Sequence, residues 1–159
     1  MAKAFRVSYN RIVKEIETDG AVKPPTVLVD RNESLWINVK AIWDTGATRT
    51  AITGKIVRLL DLKPTGKALV YGVNSKTIVN RYIVDIRLPN EILLPNWEIL
   101  ESNLNSPGID LLVGMDIIQK GDFAISNADE KTIFSFCLPP LKPPVDLFEK
   151  SKATNSNQT

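Results

Sequence analysis

Residues 41–48 read Ala41-Ile42-Trp43-Asp44-Thr45-Gly46-Ala47-Thr48. The apolar residues at the start of this stretch predict a buried strand, and the small residues after Asp44 predict a tight turn that ends it. That arrangement exposes a carboxylate where a strand meets a loop. The functional interpretation of the chain therefore depends on Asp44.

The composition is that of one globular domain. The chain has 159 residues, 43% of them apolar, and a formal net charge of +2. Basic residues are not interleaved with aromatic ones, so we expect no nucleic-acid partner. No stretch approaches the roughly 20 apolar residues that span a bilayer, and residues 1–6 lack the apolar block of a secretory signal. The sequence thus predicts a cytoplasmic protein with no membrane partner.

The residue types present restrict the chemistry. There is no histidine, which excludes Ser/His/Asp triads, Cys/His dyads and imidazole ligands for a metal. The single cysteine, Cys137, allows no intrachain disulfide, fits a reducing compartment and is predicted to be a buried small hydrophobe. No Gly-Lys-Ser/Thr phosphate loop occurs. Carboxylate chemistry is what remains, and we expect it to need no metal or organic cofactor.

The pattern of apolar and β-branched residues predicts an all-β fold with short strands. The predicted strands are Phe5–Ile12, Thr26–Val29, Leu35–Trp43, Ala68–Tyr71, Thr77–Leu88, Ile92–Leu100, Asp110–Val113, Phe123–Ser126 and Thr132–Cys137. Two short helices are expected. One is Gly54–Leu60, capped by Thr53, and the other is Met115–Lys120, ended by Gly121 in the left-handed conformation.

The chain divides into three predicted parts. Residues 1–24 are an N-terminal strand or extension, and residues 25–141 are the domain. Residues 142–159 are spaced by prolines and then polar, which predicts an extended and then disordered C-terminal tail.

Three motifs follow one another along the chain, and their order is informative about the fold. They are the strand that ends in Asp44-Thr45-Gly46-Ala47, a hairpin tip at Tyr71-Gly72-Val73-Asn74-Ser75, and Leu112-Val113-Gly114 before a short helix. Together they resemble the retropepsin-like aspartic peptidases. The resemblance implies a closed β-barrel with one or two short helices, active as a homodimer. It also implies that Asp44 is catalytic, that Thr45, Gly46 and Ala47 support it, that residues 71–75 form a flap over the substrate, and that Leu112-Val113-Gly114 is a structural glycine loop.

Two departures from the retroviral pattern favour a cellular or bacterial relative. Thr48 stands where many retroviral members have Asp or Ser, and Met115-Asp116 replaces their Arg-Asn or Arg-Asp. In addition, Ala47 lacks the hydroxyl that a Ser or Thr after the triplet can direct at the catalytic carboxylate. We therefore expect a pH optimum that is weakly acidic or neutral.

The functional hypothesis is an aspartic endopeptidase. The chain has one Asp-Thr-Gly, so two copies would each contribute one Asp44, and Thr45 can hydrogen-bond across their symmetric interface. The two carboxylates would share a proton and activate a water. The partners are then a second copy and a protein or peptide substrate.

Other interpretations stay open. The fold could be a non-catalytic module for dimerisation or peptide binding, or Asp-Thr-Gly could be an ordinary turn in an unrelated β-domain. Asp116 could be mistaken for a second catalytic acid, but it lacks the Thr/Ser-Gly turn and is predicted to cap or turn the backbone.

Overall fold

The computed structural model describes residues 1–25 and 36–157, which form ten strands and three short α-helices. Six of the strands make a closed, mixed barrel. They are β2 (Ile16–Lys23), β3 (Ile37–Trp43), β4 (Ala51–Ile52), β6 (Lys76–Leu88), β7 (Ile92–Glu101) and β8 (Leu111–Val113). The order around the barrel is β2-β3-β8-β4-β7-β6, and an antiparallel pairing of β2 with β6 closes it. The predicted closed β-barrel is confirmed.

Two parallel pairs shape the part of the barrel around Asp44. β3 runs parallel to β8, with Ala41 opposite Leu111 and Trp43 opposite Val113, and β4 runs parallel to β7. β3 alternates between the two sides, because Val39, Ala41 and Trp43 are buried and the residues between them are exposed or half-buried. The end of β3 is therefore held by the core on one side and by β8 along its edge.

A second sheet lies against the barrel and has the order β1-β10-β9. Its strands are β1 (Lys3–Ser8), β9 (Asp122–Ser126) and β10 (Ile133–Leu138), all antiparallel. Four phenylalanines of this sheet contact the ring of Trp43, and the shortest centroid distances are 4.9 Å and 5.0 Å. They are Phe5, Phe123, Phe134 and Phe136.

The indole of Trp43 also donates from Nε1 to Thr18 Oγ1 at 3.0 Å, so the one polar atom of the ring is satisfied inside the core. Trp43 is 6% exposed, and Cys137 is free and buried. Both residues are in the interior, as predicted.

One hairpin extends beyond the barrel. β5 (Gly66–Tyr71) pairs only with the first half of β6, and a tight turn with a 2.8 Å hydrogen bond from Gly72 N to Ser75 O joins the two strands. We call this β5–β6 unit the roof hairpin. It is the hairpin that the sequence predicts with its tip at residues 71–75.

The strand prediction misses β2 and β4. β2 contains Asp19-Gly20, which reads as a turn, yet Gly20 pairs with Val39 in the middle of the β2–β3 ladder. Residues 1–24, predicted as a strand or extension, therefore contain two strands. β1 belongs to the second sheet, and β2 belongs to the barrel. The predicted strand Thr26–Val29 lies outside the described residues.

The helix predictions need three corrections. Helix α1 (Gly54–Leu59) begins after Thr53, but the Thr53 hydroxyl donates to Asp110 Oδ1 at 2.7 Å and does not cap the helix. Helix α2 (Met115–Ile118) is shorter than predicted. Gly121 is not in the left-handed conformation. Glycine is needed there for space instead, because a Cβ would lie 2.2 Å from the Cys137 carbonyl oxygen.

The C-terminal segment also differs from the prediction. Helix α3 (Leu147–Ser156) occupies most of the segment predicted to be extended and then disordered. Asp146 caps it by accepting from Phe148 N at 2.9 Å and Glu149 N at 3.2 Å, and all its side chains are exposed. Within residues 1–25 and 36–157, no helix has the length and apolar content to cross a bilayer.

Candidate active site

Asp44 lies at the end of β3, where the backbone turns away from the barrel. Its amide donates to Val113 O at 3.0 Å, which extends the β3–β8 pairing by one residue. Its Oδ1 accepts from Gly46 N at 2.8 Å, and its carbonyl oxygen accepts from Ala47 N at 3.2 Å. The backbone thus fixes the half-buried carboxylate in one orientation.

Space beside this carboxylate is tight at Gly46. A Cβ on Gly46 would lie 3.1 Å from Asp44 Oδ1, and its φ is not in the left-handed region. Thr45, Gly46 and Ala47 are predicted to support the catalytic loop. The structure places Gly46 and Ala47 in hydrogen-bond contact with Asp44, whereas the side chain of Thr45 is exposed.

The loop is tied to the Leu112-Val113-Gly114 segment and to α2. Met115 N donates to Ala47 O at 2.8 Å, and Gly114 N donates to Thr50 Oγ1 at 3.1 Å. A Cβ on Gly114 would lie 2.7 Å from the carbonyl carbon and oxygen of Arg49. Close backbone packing therefore requires glycine here.

An open cleft of about 990 Å³ lies between the Asp44 loop and the roof hairpin. Its floor includes Asp44, Gly46 and Ala47. Its roof includes Tyr71, Gly72 and Ser75, three of the five predicted flap residues. Val73 is fully exposed at the tip, and neither it nor Asn74 lines the cleft.

Apolar side chains line much of the same cleft. They come from the roof hairpin, from β7 and from β8, and include Leu69, Ile78, Val79, Leu100 and Leu112. Ile78 is 67% exposed and Leu69 is 48% exposed, although both belong to strands. The cleft thus offers apolar surface to a ligand on two sides.

A charged network beside the loop is not evident from the sequence. Arg49 pairs with Glu98 of β7 and lies 4.0 Å from Asp116, while Arg81 lies 3.4 Å from Glu98. Asp116 accepts from the Thr50 hydroxyl at 2.7 Å and from Trp97 Nε1 at 3.2 Å. Asp116 is occupied by these structural contacts.

The other carboxylate in the cleft lining is that of Glu101, at the end of β7. It accepts from the Tyr82 hydroxyl at 2.8 Å. Burial of the phenol and this hydrogen bond raise the pKa of Tyr82 above its usual value. Glu101 is therefore held by a neutral donor. In the described parts of the chain, no group of three or more His, Cys, Asp and Glu residues could hold a metal ion.

The fold can be compared with solved structures. No protein-family model matches the chain, and no curated protein matches it. A retropepsin-like aspartic protease from Rickettsia conorii matches over 87% of this chain and 96% of its own, with 14% identity and a TM-score of 0.51. The chain has the retropepsin-like fold.

Two further solved structures are similar over shorter parts of the chain. The EIAV protease, in complex with an inhibitor, is 20% identical and matches 71% of this chain and 92% of its own, with a TM-score of 0.48. The retroviral protease-like domain of Ddi1 from Leishmania major is 14% identical and matches 77% of this chain and 95% of its own, with a TM-score of 0.45. These identities leave the activity of this retropepsin-like chain to be inferred from its own residues.

Proposed function

We propose that this retropepsin-like chain is an aspartic endopeptidase that works as a homodimer. The observation that carries the proposal is the Asp44 carboxylate, which Gly46 N holds at 2.8 Å on the floor of a cleft roofed by a β-hairpin. Within one chain the remaining cleft acid, Glu101, is bound to Tyr82, and Asp116 is bound to Thr50 and Trp97. A second copy would supply the second carboxylate.

The proposed mechanism follows from two identical carboxylates side by side. Two such groups at about 3 Å cannot both ionise cheaply, so the pair holds one proton. The ionised Asp44 takes a proton from a bound water, and the resulting hydroxide adds to the scissile carbonyl carbon. The protonated Asp44 donates its proton to the carbonyl oxygen. When the C–N bond of the tetrahedral intermediate breaks, a carboxyl proton passes to the leaving nitrogen.

The proposed substrate is a peptide segment with apolar side chains. Leu69 and Ile78 of the roof hairpin and Leu112 of β8 face the cleft, and their exposed surface would be buried by such side chains. The exposed tip around Val73 could close over the peptide after binding.

A concentration series with an unbiased peptide mixture tests the proposal. Purified protein is incubated from about pH 4 to 7.5, the range in which a shared-proton pair gives a bell-shaped profile, and the cuts are read by mass spectrometry. Asp44→Asn is expected to abolish cleavage. The matched control is Asp61→Asn, because Asp61 is exposed in the loop after α1 and pairs only with Lys63 among the described residues.

The enzyme-concentration dependence tests the dimer. For a dissociating dimer the rate rises more steeply than linearly with protein concentration. An optimum in the weakly acidic to neutral range is expected, and a maximum below about pH 3 contradicts the reasoning from Ala47. Cleavage that persists in Asp44→Asn refutes the peptidase mechanism. A folded dimer without Asp44-dependent cleavage favours the alternative, a non-catalytic dimerisation or peptide-binding module.

A further inference from the structure

Glu98 of β7 lies between two arginines that come from different parts of the candidate site. Its Oε1 accepts from Arg49 Nη2, and its Oε2 lies 3.4 Å from Arg81 Nη1. Arg49 belongs to the loop that begins at Asp44, and Arg81 belongs to β6 at the base of the roof hairpin. One carboxylate therefore connects the floor of the cleft with the hairpin that roofs it.

The orientation of the Arg81 guanidinium depends on Glu98. In the described part of the chain, Glu98 is the only acceptor for this side chain, and Arg81 Nε is buried without a hydrogen-bond partner. The guanidinium lies against the first residue of β5, because a Cβ on Gly66 would lie 2.4 Å from Nη2. The carbonyl oxygen of Arg81 also accepts from Thr65 N at 2.8 Å. The pair of Arg81 with Glu98 thus holds the start of the roof hairpin.

Arg49 anchors the other end of this connection. It pairs with Glu98, and its Nε lies 4.0 Å from Asp116 Oδ2 of helix α2. The side chains of Arg49, Arg81 and Glu98 are 35–38% exposed, so water screens the two pairs only in part. Two arginines and two carboxylates balance in formal charge. Loss of the Glu98 charge would therefore leave one uncompensated positive charge between the loop and the hairpin.

The roof hairpin is attached to the barrel mainly through β6. In the described part of the chain, β5 pairs with β6 alone, and no backbone hydrogen bond joins β5 to the Asp44 loop. Leu69 and Ile78 face the cleft and are 48% and 67% exposed, so they do not pack the hairpin onto the floor. A hairpin that is attached along one strand opens about its base. A contact at Arg81 therefore acts where the hairpin would bend.

We propose that Glu98 is a positioning residue, which sets the height of the roof hairpin over the Asp44 loop through its pairs with Arg81 and Arg49. This inference rests on the proposed function, in which the hairpin closes over a bound peptide. Glu98 does not line the cleft, and the Asp44 carboxylate is held by Gly46 N of its own loop. Glu98 therefore acts on peptide binding through the hairpin and leaves the carboxylate chemistry to Asp44.

Hydrogen exchange of the free protein tests the hold on the hairpin. Glu98→Gln keeps the size of the side chain and removes its charge. Exchange at residues 66–71 and 76–80 is expected to become about 3- to 10-fold faster, because two partly exposed ion pairs at the base are lost. The matched control is Glu91→Gln. It removes the 3.9 Å pair of Glu91 with Arg87 at the opposite end of β6 and should leave hairpin exchange unchanged.

Arg49→Gln tests the anchor at the Asp44 loop from a distance. In the described part of the chain, the ion pairs of Arg49 are with Glu98 and Asp116, and none is with a hairpin residue. Exchange of the hairpin should nevertheless become at least about twofold faster, because Glu98 loses the partner that fixes its Oε1. The double variant Arg49→Gln/Glu98→Gln should exchange like Glu98→Gln alone, since both changes act on one connection.

Kinetics separates a positioning role from a merely structural one. The substrate is the peptide that is cut fastest in the unbiased mixture. Glu98→Gln is expected to raise KM about 3- to 10-fold while kcat stays within about twofold, because the hairpin contributes to binding and Asp44 is untouched. A side chain that only stabilises the fold would lower the urea midpoint without this change in KM.

The outcomes separate this inference from the proposed function. Faster hairpin exchange in Glu98→Gln and Arg49→Gln, but not in Glu91→Gln, supports the inference. If no peptide is cut, that exchange result still supports the positioning of the hairpin, and only the proposed function fails. Hairpin exchange that is equal in Glu98→Gln and Glu91→Gln overturns the inference. An increase that spreads equally over the barrel strands, or a fall in kcat without a rise in KM, also overturns it.

Discussion

Gly114→Ala tests how tightly the Asp44 loop is held against the segment before α2. The added Cβ would lie 2.7 Å from the carbonyl carbon and oxygen of Arg49 and 3.0 Å from Ala47 O. All three neighbours are backbone atoms, so no side chain can rotate away. The loop must move by roughly 0.8 Å to restore a contact of about 3.5 Å.

The expected loss of stability follows from two effects. Overpacking of a tight site costs about 1–3 kcal/mol. Displacing the loop also weakens the hydrogen bonds from Met115 N to Ala47 O and from Gly114 N to Thr50 Oγ1, each of which contributes about 1 kcal/mol. The free energy of unfolding should therefore fall by about 2–4 kcal/mol, which lowers Tm by roughly 5–15 °C for a chain of this size.

Urea unfolding followed by circular dichroism measures this change. The matched control is Gly20→Ala in β2, where a Cβ would meet its neighbours at 3.6–3.7 Å, an ordinary contact distance. That variant should change the free energy of unfolding by less than about 1 kcal/mol. A loss below about 1 kcal/mol in Gly114→Ala, or an equal loss in both variants, would refute the close-packing argument.

Three other substitutions test contacts of the site and core. Gly46→Ala places a Cβ 3.1 Å from Asp44 Oδ1 and should lower the proposed peptidase activity about tenfold or more. The free energy of unfolding in urea should fall by less than about 1 kcal/mol, and a loss of stability as large as the loss of activity would contradict this prediction. Thr18→Val removes the acceptor of Trp43 Nε1 and should cost about 1–3 kcal/mol, so an unchanged urea midpoint would be evidence against that bond. The raised pKa of Tyr82 means that the unfolded chain loses this proton first, so stability should fall as pH rises above about 10. Urea midpoints from about pH 8 to 11 should show a shallower fall in Tyr82→Phe, and identical slopes would argue against the effect.

Strands were predictable where their side chains alternate or are uniformly apolar. β6 and β7 agree with the predicted strands to within one residue at each end, because long apolar and β-branched runs leave little choice of conformation. β2 was not predictable in the same way. Its buried face includes Thr18, whose hydroxyl accepts from Trp43 of the distant strand β3, and Asp19-Gly20 has the local signature of a turn. Tertiary pairing overrides that signature.

The candidate site was predictable where its residues belong to a local sequence motif, and not where distant residues meet. Asp44 and Gly114 belong to short local motifs whose backbone requirements show in the sequence. The network of Arg49 with Glu98 and Asp116 joins residues 49 and 67 positions apart, and no local pattern links them. At Gly121 the local sequence suggests the wrong reason for a glycine. Its position after α2 suggests a helix cap, but the Cys137 carbonyl oxygen from β10 is what requires glycine there.

β6 belongs to two structures at once. Residues 82–88 run along β7, residues 85–87 also pair with β2, and most of them are buried. In the described part of the chain, residues 76–80 pair with β5 alone. Amide hydrogen exchange along this single strand should therefore change from slow to fast over a few residues, because opening of the first half breaks no barrel hydrogen bond. The free energy of opening of the roof hairpin is thus independent of the free energy of unfolding of the whole protein. Access to the cleft can then be tuned at residues 66–80 by substitutions that leave the melting temperature unchanged.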